Sequence, residues 1–227
     1  MTAPMLRAVQ AEHDEHDEYD AGELSDDALT ARVRVYQRVH GHRYSLDDVV
    51  TAWVAARLRP EARLYLDLGC GLGSVLLMVA DVLAETRCVG IEAQAISFSL
   101  AERNVARNGL SSRIHVRHGD LRDAQLLAEV REQHSEGRGF DLITGTPPYK
   151  KPGTATPSPD SQRAHARVEL RGGVEEYLVA AGRLLREDGI FVVCAEAGAE
   201  LRVDDGAARA GLTRLAQLDV VPMQGRK

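Results

Sequence analysis

A glycine-rich loop between a strand and a helix is the feature that most constrains how this chain can fold. Residues 67–73 have the sequence Asp-Leu-Gly-Cys-Gly-Leu-Gly and separate an apolar run at 63–68 from an apolar helical pattern at 74–83. The glycines of the loop are Gly69, Gly71 and Gly73. Glycine lets a backbone turn sharply and approach a ligand closely at the carboxyl edge of a sheet. The loop therefore predicts an α/β fold with a ligand site at the end of its first core strand.

Strand and helix patterns alternate through the rest of the chain. Strands are predicted at 63–68, 87–91, 113–117, 140–145 and 189–195, and helices at 74–83, 95–107, 124–133 and 174–185. Repeated βα units imply a mostly parallel, doubly wound sheet with helices on both faces, which is a Rossmann-like α/β fold. This core is assigned to residues 61–227. A strand is also predicted at 212–222, and the core is expected to lack the last strand that would pair with it.

Two segments of different character precede the core. Residues 1–22 are expected to be a disordered acidic tail, because their few apolar side chains cannot offset the entropy of an ordered chain. Residues 23–60 are expected to form an appendage made of a β-hairpin and a helix that caps the predicted ligand. Its predicted elements are a helical turn at 24–30, hairpin strands at 32–37 and 42–45, and a helix at 46–59 that Pro60 ends.

The spacing of the glycines distinguishes between two kinds of ligand. A dinucleotide-binding loop would have its third glycine at position 74, where this chain has Ser74. The spacing found here, with Asp67 two residues before the first glycine, resembles motif I of class I S-adenosylmethionine-dependent methyltransferases. The resemblance implies that S-adenosylmethionine is the cofactor and that Asp67 lies near its methionyl end. A dehydrogenase is the least favoured alternative, since nothing typical of a hydride-transfer site accompanies the loop.

Carboxylates at the ends of the next two core strands agree with this interpretation. Glu92 ends the second strand, and a carboxylate there can accept hydrogen bonds from both ribose hydroxyls and would repel a 2′-phosphate. Asp120 follows the third strand. In methyltransferases this position faces the adenine amino group, so the same role is expected of Asp120.

The fourth core strand ends in Thr146, Pro147, Pro148 and Tyr149. This sequence resembles the Asn/Asp/Ser-Pro-Pro-aromatic motif of methyltransferases that modify planar amino groups, namely adenine N6, guanine N2, cytosine N4 and glutamine N5. Such a nitrogen is a poor nucleophile because its lone pair is delocalised. In the motif, the first side chain and the next carbonyl accept hydrogen bonds from the amino group while the aromatic ring stacks on the acceptor, so catalysis depends on orientation and electrostatics. Thr146 replaces the usual Asn, and a hydroxyl has a shorter reach than an amide.

A long basic loop follows this motif. Between residues 150 and 171 there are five Lys or Arg against two acids. The net charge of −6 conceals an asymmetry, because residues 1–30 carry −8 (one base, nine acids) and the remaining 197 residues carry +2 (27 bases, 25 acids). A flexible basic flap beside an active site suits a polyanion such as RNA, and a solvated loop with scattered charge is the alternative. The residues predicted to contact substrate here are Lys150, Lys151, Arg163 and Arg167.

The residues before the glycine loop narrow the resemblance. The pattern consists of Gln37, Gly41, Arg43, Tyr44, Ser45 and Asp47. It resembles the corresponding segment of the bacterial tRNA adenine N6-methyltransferase family that acts on valine tRNA, which belongs to the small-domain methyltransferases. The resemblance covers residues 24–222. It implies that Asp47 and the helix after it close over the cofactor, and that Arg43 and Tyr44 lie near the cofactor or substrate edge.

The sequence thus predicts an in-line transfer of a methyl group from S-adenosylmethionine to an exocyclic amino nitrogen, with adenine N6 in tRNA as the favoured acceptor. Three alternatives remain open: guanine N2 in ribosomal RNA, glutamine N5 of a protein, and a non-catalytic S-adenosylmethionine-binding module, which Thr146 would favour. Neither a metal nor a membrane is expected to take part, and the protein is expected to be a monomer. Three widely separated cysteines form no CxxC pair or disulfide framework, which favours the cytoplasm.

Overall fold

The computed structural model describes residues 22–154 and 158–221, so nearly all of the predicted acidic tail lies outside the described residues. The first described element is an antiparallel hairpin, in which β1 (Leu24–Ala28) pairs with β2 (Arg34–Arg38). The appendage therefore contains a hairpin, and β2 corresponds to the strand predicted at 32–37, but its partner is β1 and not the strand predicted at 42–45.

The first of these differences is that a strand replaces the helical turn predicted at 24–30. The carboxylate of Asp26 is bound by Nε of Arg34 at 2.9 Å, across the hairpin, and by Nη2 of Arg107 at 2.6 Å. Acids after a serine favour the start of a helix when only the local sequence is considered. The prediction is wrong because cross-strand and long-range arginines, which a local pattern does not reveal, neutralise these acids in an extended segment.

The second difference is that residues 42–45 form no strand. Their backbone N–H groups are used by side chains, since His42 donates to Oε1 of Gln162 at 3.0 Å and Tyr44 donates to Oε1 of Gln37 at 3.1 Å. Amides that are bonded to side chains are not available for a strand ladder. The segment is instead a connection that leads into the first helix.

The core is a five-stranded sheet in which every neighbouring pair of strands is parallel. Its strands are β3 (Leu64–Leu68), β4 (Arg87–Glu92), β5 (Ile114–His118), β6 (Phe140–Gly145) and β7 (Leu185–Val193). Their order across the sheet is β5-β4-β3-β6-β7. Leu68 at the end of β3 lies opposite both Ile91 and Gly145, so the carboxyl ends of the central strands coincide. The predicted doubly wound α/β class is confirmed.

Helices cover both faces of the sheet, which produces two apolar layers. The helices are α1 (Leu46–Leu58), α2 (Ser74–Val82), α3 (Ala95–Arg107), α4 (Ala124–Ser135), α5 (Ser161–Arg167), α6 (Val174–Leu184) and α7 (Glu200–Arg209). Buried apolar residues of α1, α2 and α3 belong to one core cluster, and those of α4 and most of those of α6 belong to the second. Val174 and Leu178 of α6 pack with Ala207 of α7 in a third, small cluster. Helices on both faces are expected because the central strands β3, β4 and β6 are buried on both faces.

Two segments in the second half of the chain differ from the prediction. The stretch 150–171, predicted to be a flexible loop, contains α5, whose first turn is capped by the Asp160 carboxylate accepting from Arg163 N–H at 2.8 Å. The strand predicted at 212–222 is absent from its described part, residues 212–221, whose large apolar side chains are mostly exposed. Apolar alternation alone is not sufficient for a strand, because the backbone also needs a neighbouring strand to pair with.

A series of buried hydrogen bonds links the central strands β3 and β6. The hydroxyl of Tyr65 lies 2.6 Å from Oγ1 of Thr144, which in turn donates to Oδ1 of Asp67 at 2.7 Å. Burial raises the pKa of Asp67 to about 8, and the nearby carboxylates Asp48 and Glu92 add to that effect. The folded protein therefore favours the protonated form of Asp67 at neutral pH.

This raised pKa predicts a specific pH dependence of stability. A carboxyl whose pKa is higher in the folded state contributes stability that is fully present below its unfolded value near 3.8, and that is lost as pH rises towards 8. Asp67→Asn keeps the acceptor for Thr144 and removes the titration. We expect the melting temperature of the variant minus that of the wild type, measured without ligand, to increase steadily from pH 4 to pH 8 and then level off. A pH-independent difference would contradict the assignment.

Candidate active site

A cleft lies at the carboxyl edge of the sheet, and its empty volume, including the part open to solvent, is ≈ 930 Å³. Its floor is formed by the glycine loop at 69–72, and one wall by the end of β4 and the start of α3 at 91–97. The connection at 42–44 and helix α5 also line the cleft, and together they are called the roof below. The cleft thus occupies the position at which ligands bind in open parallel sheets.

The glycine loop turns through backbone conformations that favour glycine. Gly69, Gly71 and Gly73 have φ values of +63°, +57° and +90°. At Gly69 there is also no room for a side chain, because a Cβ would overlap the hydroxyl of Tyr177, which reaches the loop from α6. The predicted loop is therefore held against the sheet edge with its backbone facing the cleft.

Glu92, the last residue of β4, connects that strand to the glycine loop through hydrogen bonds of its side chain. Its side chain is 6% exposed, its Oε2 accepts from Gly71 N–H at 2.9 Å, and its Oε1 accepts from Gln94 N–H at 2.7 Å. Each carboxylate oxygen keeps a second lone pair for a ligand hydroxyl. Burial raises the pKa of Glu92, and these backbone donors partly oppose that shift.

Asp120 lies at the far end of the same wall and lines the cleft. Its carboxylate accepts from Nε and Nη2 of Arg122 at 2.9 and 2.7 Å, and from Arg122 N–H at 2.9 Å. The hydrogen bonds from the Arg122 side chain hold the pKa of Asp120 below its ordinary value. The Asp120 carboxylate is therefore held in a fixed orientation by its neighbour Arg122.

Two other carboxylates predicted to bind the cofactor are not among the residues that line the cleft. Asp67 is buried behind the loop, and Asp47 accepts from the Tyr149 hydroxyl at 2.9 Å. The acid that α1 presents to the cleft is Asp48, whose Oδ2 accepts from Ser45 N–H at 2.7 Å. The Ser-x-x-Asp spacing at the helix start is the sequence signal that could have identified Asp48. In this capping box the side chain of the third helical residue turns back to the backbone N–H of the serine. Burial raises the pKa of Asp48.

The predicted catalytic motif meets the cleft only in part. Thr146 and Pro148 line the cleft, whereas Pro147 is buried beside them. The Tyr149 side chain points away, and its hydroxyl donates to Asp47 and lies 2.8 Å from Sγ of Cys194. Burial and these two neighbours raise the pKa of Tyr149 above its ordinary value. A smaller hollow on this side is lined by Pro148, Tyr149, Glu169, Val174, Ala195, Glu196, Ala199 and Arg202.

Two of the arginines predicted to contact substrate are used within the structure. Arg43 donates to Ser25 Oγ at 2.8 Å and to the Asp27 carboxylate at 3.0 Å, so it braces the hairpin. Arg163 donates through Nη2 to the carbonyls of His40 and Gly41, so it binds α5 to the roof connection. Long-range partners of this kind are not visible in the sequence.

The other predicted substrate contacts lie at the surface or on the roof. Tyr44 lines the cleft, and Lys150 is an exposed residue 3.5 Å from Glu196. Lys151 and Arg167 are exposed, and their side chains make no hydrogen bond or ion pair within residues 22–154 and 158–221.

Several residues that line the cleft are missed by the sequence motifs. They are His42, Ser97, Gln162 and Tyr177, whereas His165 and Arg171, which also line the cleft, belong to the predicted basic flap. Burial and the charges of Arg167 and Arg163 lower the pKa of His42, which favours its neutral form. No local motif marks these residues, since they come from four separate segments that only the folded chain brings together.

The charges around the cleft fit a ligand that combines a ribose with a positive centre. Glu92, Asp48 and Asp120 line it, and its basic side chains are Arg171 and two histidines. A sulfonium cation is compatible with buried carboxylates, whereas a diphosphate would be repelled by them. S-adenosylmethionine therefore fits the residues present. Within residues 22–154 and 158–221, no cluster of three His, Cys, Asp or Glu could hold a metal ion, and no helix is long and apolar enough to cross a membrane.

Solved structures with the same architecture include two methyltransferases. The ribosomal protein L11 methylase of Lactobacillus delbrueckii subsp. bulgaricus superposes with a TM-score of 0.59 at 13% identity, over 86% of this chain and 93% of that one. A SAM-dependent methyltransferase from Agrobacterium tumefaciens gives a TM-score of 0.58 at 15% identity, over 84% of this chain and 59% of that one. At such identities the likeness establishes the fold.

Sequence relatives carry the comparison further. Proteins named tRNA1(Val) (adenine(37)-N6)-methyltransferase are 31% identical over 159 residues in Porphyromonas gingivalis and 32% identical over 143 residues in Yersinia pestis. These alignments cover 69% and 63% of this chain, and the chain spans only 60% and 52% of the length of those relatives.

A family model provides the broader assignment. The model described as "Methyltransferase small domain" matches residues 42–201, which include the roof, the glycine loop and the Thr-Pro-Pro-Tyr motif. The S-adenosylmethionine-dependent methyltransferase class that the motifs predict is thus confirmed at the level of the family. The chain belongs to the methyltransferase small domain family.

Proposed function

We propose that this protein transfers a methyl group from S-adenosylmethionine to the exocyclic N6 of an adenine in tRNA, in the cytoplasm. One observation carries the proposal: Thr146 and Pro148 of the Thr-Pro-Pro-Tyr motif line the same cleft as Glu92 and the glycine loop. The motif typical of methyl transfer to planar amino groups therefore lines the same cleft as the residues that suit an adenosine with a positive centre. The tRNA-modifying relatives support the choice of acceptor.

The mechanism is a single displacement at the boundary between the cofactor and the acceptor. When bound, the cofactor supplies an electrophilic methyl group on a sulfonium. The hydroxyl of Thr146 and the carbonyl of Pro147 accept hydrogen bonds from the amino hydrogens, which turns the nitrogen lone pair towards that methyl group. The glycine loop, Glu92 and Asp120 would hold this cofactor. Its methyl group would pass to the amino nitrogen as the carbon–sulfur bond breaks with its electrons left on sulfur, and the surplus amino proton would pass to water.

The aromatic residue of the motif lies in a shallow hollow next to the main cleft. Tyr149 and Pro148 line this hollow, while Pro148 also lines the main cleft. A flipped or unpaired base that stacks on the Tyr149 ring would have to widen the hollow, which is too small for a base as it stands. The bonds from the Tyr149 hydroxyl to Asp47 and Cys194 hold the ring at this boundary.

One observation favours a second candidate function. Thr146 replaces the Asn that is usual in the motif, and its shorter side chain weakens one of the two acceptors for the amino group. A non-catalytic module would bind S-adenosylmethionine without turnover. Guanine N2 and glutamine N5 acceptors would use the same residues, so only the identity of the product separates them from adenine.

The first prediction concerns the reaction itself. With labelled S-adenosylmethionine and unmodified total tRNA, we expect label in N6-methyladenosine when the nucleosides are separated by mass spectrometry. Tyr149→Ala should lower the rate by about 10- to 100-fold because stacking is lost, and Tyr149→Phe should keep most of the rate because the ring remains. Label in another nucleoside, or in protein glutamine, would show that the methyl acceptor is not adenine N6. Cofactor binding without any transfer would support the non-catalytic module.

The basic surface next to the cleft is the second basis for an RNA acceptor. Lys151 and Arg167 are exposed and unpaired in the described part of the chain, and Arg171, also exposed, lines the cleft. Arg167 ends helix α5, and the backbone bonds of Lys150 to Arg167 and Glu169 bring Lys151 close to that end of the helix. Cations that need no partner within the protein can replace the counterions of a phosphate backbone.

The second prediction tests this surface through its salt dependence. Lys151→Ala and Arg167→Ala should each weaken tRNA binding at low salt and reduce the slope of log affinity against log salt by roughly 1. The matched control is Arg138→Ala, which removes an exposed arginine before β6, at the opposite edge of the sheet. Equal effects of all three changes in a filter-binding titration would show that only net charge matters and would argue against a defined RNA surface.

A further inference from the structure

The roof of the cleft is fixed by one buried amide side chain. Gln162 of α5 is 1% exposed. Its Oε1 accepts from His42 N–H at 3.0 Å and from Nη1 of Arg38 at 3.3 Å, and its Nε2 donates to Ser97 Oγ at 3.1 Å. One amide therefore joins the roof helix, the roof connection and the first turn of α3, which also lines the cleft.

The roof connection is shaped around this amide. At Gly41 a Cβ would overlap Oε1 of Gln162 and lie 2.7 Å from Cβ of Arg38, so the close approach of the amide requires glycine there. Arg163 adds hydrogen bonds to the carbonyls of His40 and Gly41 at 3.2 and 3.0 Å. Helix α5 is thus attached to the connection by a set of polar bonds centred on Gln162.

The same helix is attached to the catalytic motif at its other end. Lys150, which directly follows Tyr149, donates its N–H to the carbonyl of Arg167 and accepts from Glu169 N–H, both at 2.9 Å. These bonds form an isolated parallel bridge between Lys150 and Val168. A displacement of α5 would therefore reach both the cofactor seat and the loop that holds the acceptor.

We propose that Gln162 is the positioning residue that seats the roof over the bound cofactor, and that release of its amide opens the cleft for cofactor exchange. The inference rests on the proposed function, because it takes S-adenosylmethionine as the occupant of the cleft. Two groups bonded to Gln162, His42 and Ser97, themselves line the cleft, so the amide fixes two segments that would surround the ligand. Hydrogen bonds suit a helix that must detach, because each one can be replaced by a hydrogen bond to water at a small net cost in free energy.

Two substitutions of Gln162 distinguish the effect of its hydrogen bonds from the effect of the space that its side chain fills. Gln162→Met fills a similar space without the hydrogen bonds, and we expect it to weaken S-adenosylmethionine binding about 10-fold or more through faster dissociation. Gln162→Glu keeps acceptors for His42 N–H and Arg38 and can accept from the Ser97 hydroxyl. It should therefore bind within about 3-fold of the wild type.

The experiment measures binding without any methyl acceptor. The dissociation constants of S-adenosylmethionine and of its demethylated product are determined by calorimetry, and the dissociation rates by stopped-flow fluorescence, for the full chain and each variant. The control is Thr86→Val, which removes a buried bond of 2.6 Å from Thr86 Oγ1 to the Ala62 carbonyl, before β4 and away from the cleft. It should lower the melting temperature and leave the dissociation constants unchanged.

Weak binding by Gln162→Met that Gln162→Glu restores, with Thr86→Val unaffected, supports the inference. Wild-type affinity in Gln162→Met overturns it. Equal losses in the Met and Glu variants, or losses that follow the melting temperature as in Thr86→Val, also overturn it, because they indicate a merely structural role. A wild-type protein that binds neither ligand overturns the proposed function itself, and this inference with it, so the two failures are distinguishable.

Discussion

The parallel alignment of β3 between β4 and β6 is the constraint on which the rest of the structure depends. Because Leu68 lies opposite both Ile91 and Gly145, the segments that follow these three strands leave the sheet at one edge. The glycine loop, Glu92 and the Thr-Pro-Pro-Tyr motif are far apart in sequence and meet there. The hydrogen bond from Gly71 N–H to Glu92 depends on this alignment, since it joins the ends of two neighbouring strands.

The same convergence gathers carboxylates in a region that is poorly solvated. Asp48, Asp67 and Glu92 are all buried, and burial raises the pKa of each. Their mutual repulsion and lost hydration disfavour the charged forms in the absence of a ligand. A ligand with a positive centre would offset part of this cost, which gives the proposed cofactor an electrostatic advantage over an anionic nucleotide.

The N-terminal hairpin and α5 add a second layer to this edge, and they do so by polar contacts rather than by extending the sheet. Arg38 of β2 binds Asp160 at 2.7 Å, and Asn104 of α3 donates to the carbonyl of Tyr36 at 3.0 Å. The hairpin is thereby fixed both to the core and to α5. These contacts brace the roof. Arg43 and Arg163, which the sequence assigns to substrate, instead make hydrogen bonds within the protein.

The sequence by itself determined the parallel core, the glycine loop, and the positions of Glu92, Asp120 and the motif from Thr146 to Tyr149 at strand ends. These features follow from local periodicity and chain order, which are carried by neighbouring residues. Family membership follows from the same motifs, and it extends to the roof segment.

Only the tertiary structure decided which side chains face the cleft and which partners they have. It selected Asp48 rather than Asp47, turned Tyr149 towards Cys194, and made a strand where local acids predict a helical turn. It also placed Gln162 at the centre of the roof. The physical reason is that each of these outcomes depends on a hydrogen bond, an ion pair or a packing limit between residues far apart in the chain, and a pattern of neighbouring residues contains no record of such pairs.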